Sequence, residues 1–190
     1  MPKIAIFASG SGTNAENLIK SYKNTEMTIV RIFCNNSHAG VIERASRLQV
    51  PVTVFSKADL WENNLIFDML QSEDVDFLIL AGFMMLLPQN IIDRYRDKIV
   101  NIHPSLLPKY GGKGMFGIHV HEAVLANKEK ESGITIHLVN EEYDSGEPLF
   151  QTTCPVLEND TPESLATRVH ALEYQYYPQV VMEYIAKKIL

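Results

Sequence analysis

Short apolar runs alternate with amphipathic segments along this chain, and most runs end in polar or small residues. The runs cover residues 3–8, 28–34, 52–55, 77–81, 99–102, 132–139 and 149–154. Continuous apolar runs of this length are typical of strands that are buried on both faces of a parallel sheet. Helical periodicity lies between several of the runs, for example in residues 39–48 and 61–70. The pattern therefore predicts an α/β fold with a mostly parallel sheet.

The last quarter of the chain predicts an antiparallel strand followed by helix. Residues 149–154 form the last strand, and Thr161-Pro162 has the sequence of a helix start, with Thr161 as the cap. Pro178 is expected to break or kink this helix, because proline lacks the backbone N–H that an interior helical position uses. A final helical segment is expected through Val181 and Ile185.

A glycine-rich loop follows the first predicted strand, in the sequence Ser9-Gly-Ser-Gly-Thr-Asn14. Free N–H groups at the start of the next helix can bind an anion there, and Thr13 or Asn14 is expected to cap that helix. A dinucleotide site would need an acidic residue at the end of the second strand, where the chain has Asn35-Asn36. A phosphate monoester therefore fits better, and a tight turn without any ligand remains the alternative.

The strand at residues 99–102 continues into a polar segment that could carry chemistry. Asn101 and His103 are two residues apart and are expected to share one face of the strand. An amide can stabilise an oxyanion, and an imidazole can transfer a proton near neutral pH. These residue types suit a reaction at a carbonyl carbon. The alternative is a strand end whose polar side chains only satisfy a turn.

Net charge, cysteine spacing and the length of the apolar runs argue against several classes of function. The formal net charge of −6 gives no electrostatic signature of a nucleic-acid partner. The two cysteines, Cys34 and Cys154, are far apart and not in a C-x-x-C pair, so neither structural zinc nor a disulfide framework is indicated. No apolar run reaches membrane-spanning length. A single domain over residues 1–190, a cytoplasmic location and no membrane partner are expected.

The run Asn-Ile-His-Pro-Ser-Leu-Leu-Pro-Lys-Tyr, at residues 101–110, closely resembles the signature of the folate-dependent formyltransferases. The resemblance covers nearly the whole chain and implies a Rossmann-like sheet with helices on both faces. It also implies 10-formyltetrahydrofolate as the co-substrate. Asn101 and His103 would be catalytic, and Asp144 in the segment Asn140-Glu-Glu-Tyr-Asp-Ser-Gly146 would pair with His103 and raise its pKa.

The glycine-rich loop resembles the one by which the glycinamide ribonucleotide branch of this family holds the substrate phosphate. The resemblance implies that Ser11, Gly12, Thr13, Asn14 and Ala15 bind that phosphate, and that Glu173 binds the ribose hydroxyls. The expected activity is formyl transfer to the amino group of glycinamide ribonucleotide, in de novo purine synthesis. A deformylase, a tRNA formyltransferase domain and a non-catalytic nucleotide-binding module remain alternatives.

Two further segments would bind the folate, according to the same resemblance. The first is the pterin wall at Met84, Met85, Leu86 and Leu87, where Met85 stands in place of an arginine that the best-known members carry. The second lies in the loop that ends at Asp144 and comprises Asn140, Glu141, Glu142 and Tyr143, with Asn101 and Asp144 also in contact with the folate.

The segment between the central motif and the next helix gives weaker indications. His119 and His121 have no third partner at zinc-like spacing, so a metal is disfavoured and a wall of the site is expected. Residues 111–117 contain four glycines and predict a flexible loop, either a mobile lid or a solvated insertion. The sequence does not separate a monomer from a homodimer.

Overall fold

The structure is a computed structural model that describes residues 1–189, and it divides into two compact units. The first unit comprises Met1–Val100, and the second begins at Asn101. Across the sheet, the seven strands lie in the order β3-β2-β1-β4-β5-β6-β7.

The first unit alternates strands and helices. Its elements are β1 (Lys3–Ala8), α1 (Thr13–Tyr22), β2 (Thr28–Cys34), α2 (Gly40–Arg47), β3 (Val52–Val54), α3 (Lys57–Trp61), α4 (Leu65–Ser72), β4 (Phe77–Leu80) and α5 (Gln89–Arg94). Strand β1 is central and pairs in parallel with β2 and β4, while β3 pairs in parallel with β2. Residues Ile4–Ala8 are fully buried, as expected for a strand covered on both faces.

The second unit takes up β5 (Ile99–His103), which starts just before the boundary, and continues with α6 (Ile118–Ala126), β6 (Glu131–Leu138), β7 (Pro148–Pro155) and α7 (Pro162–Ile189). Strands β6 and β7 form an antiparallel hairpin. The predicted α/β fold with a mostly parallel sheet is confirmed, and so is the antiparallel last strand.

Two helix predictions in the first unit need correction. The helix expected over residues 61–70 is two helices, because α3 ends at Trp61 and Asn64 adopts a left-handed conformation with φ 55° before α4. Ser56 and Asp59 form a capping box at the start of α3, so the first helix begins earlier than the apolar periodicity suggested. Helix α5 was not predicted, because only Ile91 and Ile92 are buried in its six residues.

Pro178 does not break the last helix. Helix α7 runs without interruption from Pro162 to Ile189 and contains Pro178 as a buried interior residue. An interior proline costs about 3 kcal/mol in a helix. Buried side chains on both sides of it, Tyr177, Val181 and Ile185 among them, provide packing that offsets this cost. The predicted helix start is confirmed, since the Ser164 N–H donates to Thr161 Oγ1 at 3.2 Å.

Within the part of the chain that the structure describes, no helix has both the length and the apolar character needed to span a bilayer.

Candidate active site

Strand β5 brings Asn101 and His103 to one face at its carboxyl end. Buried and exposed residues do not alternate along this strand: four of its five residues are buried and Asn101 is half-buried. His103 is only 4% exposed. A polar ring this deeply buried requires hydrogen-bond partners, and they come from two loops of the second unit.

Tyr110 and Asp144 face the two ring nitrogens of His103. Its Nε2 lies 2.7 Å from the carbonyl oxygen of Tyr110. Because a carbonyl oxygen only accepts, Nε2 carries a proton, and the neutral ring has its lone pair on Nδ1. Nδ1 lies 3.5 Å from Asp144 Oδ1. The imidazole can therefore gain a proton at Nδ1 beside a carboxylate, which is the arrangement of a general base.

Asp144 is held by its loop neighbours in a conformation that side chains seldom adopt. Its φ is 52°, and the N–H of Gly112 donates to its Oδ2 at 2.9 Å. Burial raises the pKa of this carboxyl, but His137, His103 and the Gly112 N–H outweigh burial and lower the pKa below its ordinary value. Asp144 is therefore ionised at neutral pH.

His137 on β6 completes this cluster, and sequence reasoning did not assign it a role. Its Nδ1 donates to the Leu138 carbonyl at 2.7 Å, so in the neutral ring Nε2 accepts from Asn101 Nδ2 at 3.1 Å. The same Nε2 lies 3.7 Å from Asp144 Oδ1. The position of β6 beside β5 in the sheet brings His137 to Asn101.

The pKa of His103 is lower than its ordinary value, which corrects one expectation. Burial is the largest cause and lowers the pKa, whereas Asp144 and the Tyr110 carbonyl raise it. Asp144 thus acts in the expected direction but does not outweigh burial. His103 is mainly neutral at pH 7, the form that can accept a proton.

The glycine-rich loop belongs to the first unit and begins α1 without a side-chain cap. The N-cap is Gly12, in a left-handed conformation with φ 77°, so the expectation that Thr13 or Asn14 caps the helix is wrong. A Cβ atom at Gly12 would lie 2.5 Å from the Val41 side chain. The close approach of α2 therefore requires glycine, and a glycine at the N-cap has no side chain that could accept from the first N–H groups of α1.

One basic residue contacts this loop, and two more lie beside Glu16 in the first turn of α1. Arg44 Nε donates to the Ser11 carbonyl at 2.9 Å, and its guanidinium also forms an ion pair with Glu16. Lys20 forms a second ion pair with the Glu16 carboxylate at 2.7 Å, and Arg47 lies 3.9 Å from it. Hydrogen bonds from Lys20 and then Arg44 lower the pKa of Glu16 to about 2. Three cations against one carboxylate leave a positive excess, which favours an anion.

The five residues expected to bind the phosphate differ in how accessible they are. Ser11 is exposed, Thr13 and Asn14 are half-buried, and Gly12 and Ala15 are buried. Ala15 packs in the core, with 0% exposure. A ligand can therefore meet Ala15 only through its backbone, while the Ser11 side chain is open to solvent.

The expected pterin wall is an irregular segment after β4. Gly82 has φ 69°, its carbonyl accepts from the Ser9 N–H at 3.0 Å, and the Met84 N–H donates to Ser9 Oγ at 3.0 Å. Met84 is 45% exposed and Leu87 is 4% exposed, with Met85 and Leu86 between them in exposure. Leu87 is thus a core residue, and the more exposed part of the wall is Met84–Leu86.

The loop that precedes Asp144 is shaped by Asn140. Its Oδ1 accepts from the Glu142 N–H at 3.0 Å and from the Ser145 hydroxyl at 2.8 Å. Glu141, Glu142 and Tyr143 are exposed at the tip of the loop. Asn140 therefore has a structural task in the loop, while the three tip residues are accessible.

Glu173 and the paired histidines complete the predicted set. Glu173 is 5% exposed on α7, so it is not on a solvated helix face. His119 and His121 both lie inside α6, where residues two apart point in different directions. His119 is exposed and pairs with Glu122, and His121 is buried. Among residues 1–189, no group of three or more ligand-type side chains is placed to hold a metal ion.

The chain matches known proteins over most of its length. Residues 2–181 match the family model described as formyl transferase. The chain is 41% identical, over 94% of its length, to a chloroplastic phosphoribosylglycinamide formyltransferase of Arabidopsis thaliana, and it spans 64% of that relative. It is 37% identical to phosphoribosylglycinamide formyltransferase of Haemophilus influenzae, covering 95% of this chain and 86% of that one.

A solved structure of a relative is also closely similar to this chain. The phosphoribosylglycinamide formyltransferase of Bacillus halodurans has a TM-score of 0.87 and 33% identity, covering 98% of this chain and 96% of that one. The chain belongs to the formyl transferase family. It spans slightly less than two thirds of the two plant relatives, at 64% and 62% of their lengths.

Proposed function

We propose that this chain transfers the formyl group of 10-formyltetrahydrofolate to the amino group of glycinamide ribonucleotide, giving the N-formyl product for purine synthesis. The observation that carries the proposal is the cluster in which Asn101 and the buried His103, at the end of β5, meet Asp144. Relatives named phosphoribosylglycinamide formyltransferase, at 35–41% identity, favour this acceptor over the deformylase and tRNA alternatives.

The first step in the proposed mechanism is attack of the substrate amine on the formyl carbon. Neutral His103 accepts the amine proton at Nδ1, the nitrogen that faces Asp144 at 3.5 Å. The imidazolium formed there is stabilised by the ionised carboxylate. In the second step it returns the proton to the leaving folate nitrogen, and the carbon–nitrogen bond to the folate breaks. One residue thereby serves as base and then as acid.

Asn101 supplies the stabilisation of negative charge. One of its two amide protons is donated to His137 Nε2, which fixes the orientation of the amide and leaves the second N–H for the developing oxyanion. A donor that is fixed before reaction lowers the barrier without reorganisation at the moment of charge transfer. His137 is therefore proposed as the residue that orients Asn101.

The glycine-rich loop suits the phosphate of the ribonucleotide. The proposed contacts are made by backbone N–H groups at the start of α1 and by Ser11, Thr13 and Asn14, with the surrounding cations adding attraction. Glu173 is proposed to bind the ribose hydroxyls. The folate is proposed to contact Met84–Leu86 and the loop from Asn140 to Asp144.

The extent of the domain, its location and its partners are also proposals. We propose residues 1–190 as one formyltransferase domain, because the family match extends over residues 2–181. The cytoplasmic location, the choice between monomer and homodimer, and the absence of metal and nucleic-acid partners stay predictions.

One assay tests the proposal directly. The chain is mixed with glycinamide ribonucleotide and 10-formyltetrahydrofolate, and the absorbance change of the folate is followed. We expect turnover that requires both substrates and is lost in His103→Asn. Fast formate release from the folate without the ribonucleotide would instead support a deformylase. Turnover with a methionyl-tRNA acceptor alone would support the tRNA alternative.

A further inference from the structure

We infer that Glu129 is a positioning residue for His103 and acts through Tyr110. The inference rests on the proposed function for its kinetic test, but it starts from a chain of contacts within the second unit. Glu129 Oε1 accepts from the Tyr110 hydroxyl at 2.9 Å. The carbonyl of the same tyrosine accepts from His103 Nε2 at 2.7 Å. A side chain outside the cluster is thus two contacts away from the imidazole.

The backbone of Tyr110 needs an external restraint. Its φ is 56°, in the left-handed region that residues other than glycine seldom adopt. Such a conformation persists only when the surroundings hold it. Because the carbonyl that contacts His103 belongs to this residue, relaxation of Tyr110 to an ordinary conformation would turn the carbonyl away from Nε2.

The segment Ser105–Tyr110 is held by hydrogen bonds within itself and to Thr135 on β6. Ser105 Oγ donates to the Lys109 carbonyl at 2.6 Å, and Thr135 Oγ1 donates to the Ser105 carbonyl at 2.7 Å. The Leu107 N–H donates in turn to Thr135 Oγ1 at 3.0 Å. These contacts fix the beginning and middle of the segment but do not include the tyrosine side chain.

The segment Ser105–Tyr110 also lines a cavity of about 270 Å³. Its lining includes Leu106, Tyr110, Val124, Glu129 and Ser132. Tyr110 is half-buried beside this cavity, and its hydroxyl donates to Glu129 at 2.9 Å, which restrains the side chain. The Glu129 carboxylate is a strong acceptor, since hydrogen bonds from Lys109 and then Tyr110 lower its pKa and keep it charged.

His103 should respond to the loss of this restraint. The ionisable side chains that act on it are Asp144, His137 and His121, from the loop after β6, from β6 and from α6. The Tyr110 carbonyl stabilises the protonated ring at Nε2 and orients Nδ1 toward Asp144. A loosened carbonyl should therefore make the imidazole less basic and disorder the nitrogen that moves the proton.

Matched variants separate this role from a general structural one. Tyr110→Phe removes the hydrogen bond to Glu129 but keeps the carbonyl that contacts His103. Lys109→Met removes a different hydrogen bond to the same Glu129 oxygen, at 3.0 Å, from an exposed side chain. Glu129→Ala removes the acceptor, and Glu129→Gln keeps an oxygen that can accept from the tyrosine.

Two measurements are made on each variant. The first is kcat as a function of pH, together with KM for each substrate. The second is the NMR titration of the His103 ring proton in the protein without substrates, assigned by its absence in His103→Asn. The titration decides the inference even if the proposed reaction proves wrong, because it requires no turnover.

We expect Tyr110→Phe and Glu129→Ala to lower the His103 pKa and to reduce kcat about 10- to 100-fold, as misplacement of a catalytic group does, with little change in KM. Lys109→Met and Glu129→Gln should behave like the unmodified protein. The inference is overturned if Tyr110→Phe and Lys109→Met titrate alike. If Tyr110→Phe does not fold, the Glu129→Ala and Glu129→Gln pair decides: equal His103 titrations in these two variants would refute it.

Discussion

His121 should make the protein sensitive to mild acid. The residue lies in α6 with 1% exposure, and its Nδ1 is buried without a hydrogen-bond partner among the described residues. Burial, followed by the proximity of His170 and His103, lowers its pKa to about 4 from an ordinary 6.5. The folded protein therefore excludes a proton that the unfolded chain binds.

The magnitude follows from proton linkage. Above about pH 6.5 both states have a neutral His121, and its contribution to stability is fully present. As the pH falls, His121 is protonated first in the unfolded state. This protonation lowers the free energy of the unfolded state, so the folded state becomes relatively less stable. For a pKa shift from 6.5 to about 4, the loss is roughly 2 kcal/mol by pH 5 and roughly 3 kcal/mol by pH 4.

Urea unfolding of the unmodified protein and of His121→Gln, at about pH 7 and about pH 5, measures this loss. The substitution has its own cost, but that cost is present at both pH values and cancels in the comparison. We expect the unmodified protein to lose about 2 kcal/mol more than the variant. His119→Gln, on the same helix but at an exposed position, should follow the unmodified protein. Parallel losses in His121→Gln and the unmodified protein would refute the reasoning.

Three further predictions concern the catalytic cluster and the glycine-rich loop. Asp144→Asn keeps the shape of the side chain and removes its charge, so kcat should fall about 10²–10⁴-fold and the acidic limb of the pH–rate profile should shift to lower pH; an unchanged profile with unchanged kcat would exclude a catalytic role. Asn14→Asp puts a like charge beside the substrate phosphate, so KM for the ribonucleotide should rise strongly while KM for the folate changes little; equal weakening of both would contradict the assignment. Gly12→Ala combines a positive φ with a contact of 2.5 Å to the Val41 side chain and should lower the free energy of unfolding by roughly 2 kcal/mol or more, measured by urea titration; unchanged stability would show that α2 can move away.

The strands could be predicted from the sequence because their apolar runs are continuous. The run at residues 3–8 became β1 and the run at residues 28–34 became β2, with the expected bounds. Helix boundaries were less predictable, because they depend on single conformations such as the left-handed Asn64 between α3 and α4. Pro178 was misinterpreted because local propensity does not report the packing that holds α7 together.

The same difference between local pattern and tertiary packing decides which parts of the candidate site could be predicted. Asn101 and His103 could be placed together, since they lie two apart on one strand, and Asp144 lies 3.5 Å from His103 in the position that the resemblance implied. His137 could not be assigned, because its contact with Asn101 depends on how β6 lies against β5. The direction of the His103 pKa was also out of reach, because it depends on how deeply the ring is buried, and residue types alone do not give that depth.

The loop that carries Asp144 is closed by direct contact between its two ends. The Leu138 N–H donates to the Glu147 carbonyl at 2.9 Å, and a Cβ atom at Gly146 would lie 1.8 Å from the Leu138 carbonyl oxygen. No side chain fits at position 146 unless the ends separate and Asp144 moves with them. In a saturation mutagenesis screen, position 146 should therefore tolerate substitution as poorly as the reacting residues do. A map of mutational tolerance would thus give Gly146 the profile of a catalytic residue, although the constraint on it is the close approach of two backbone segments.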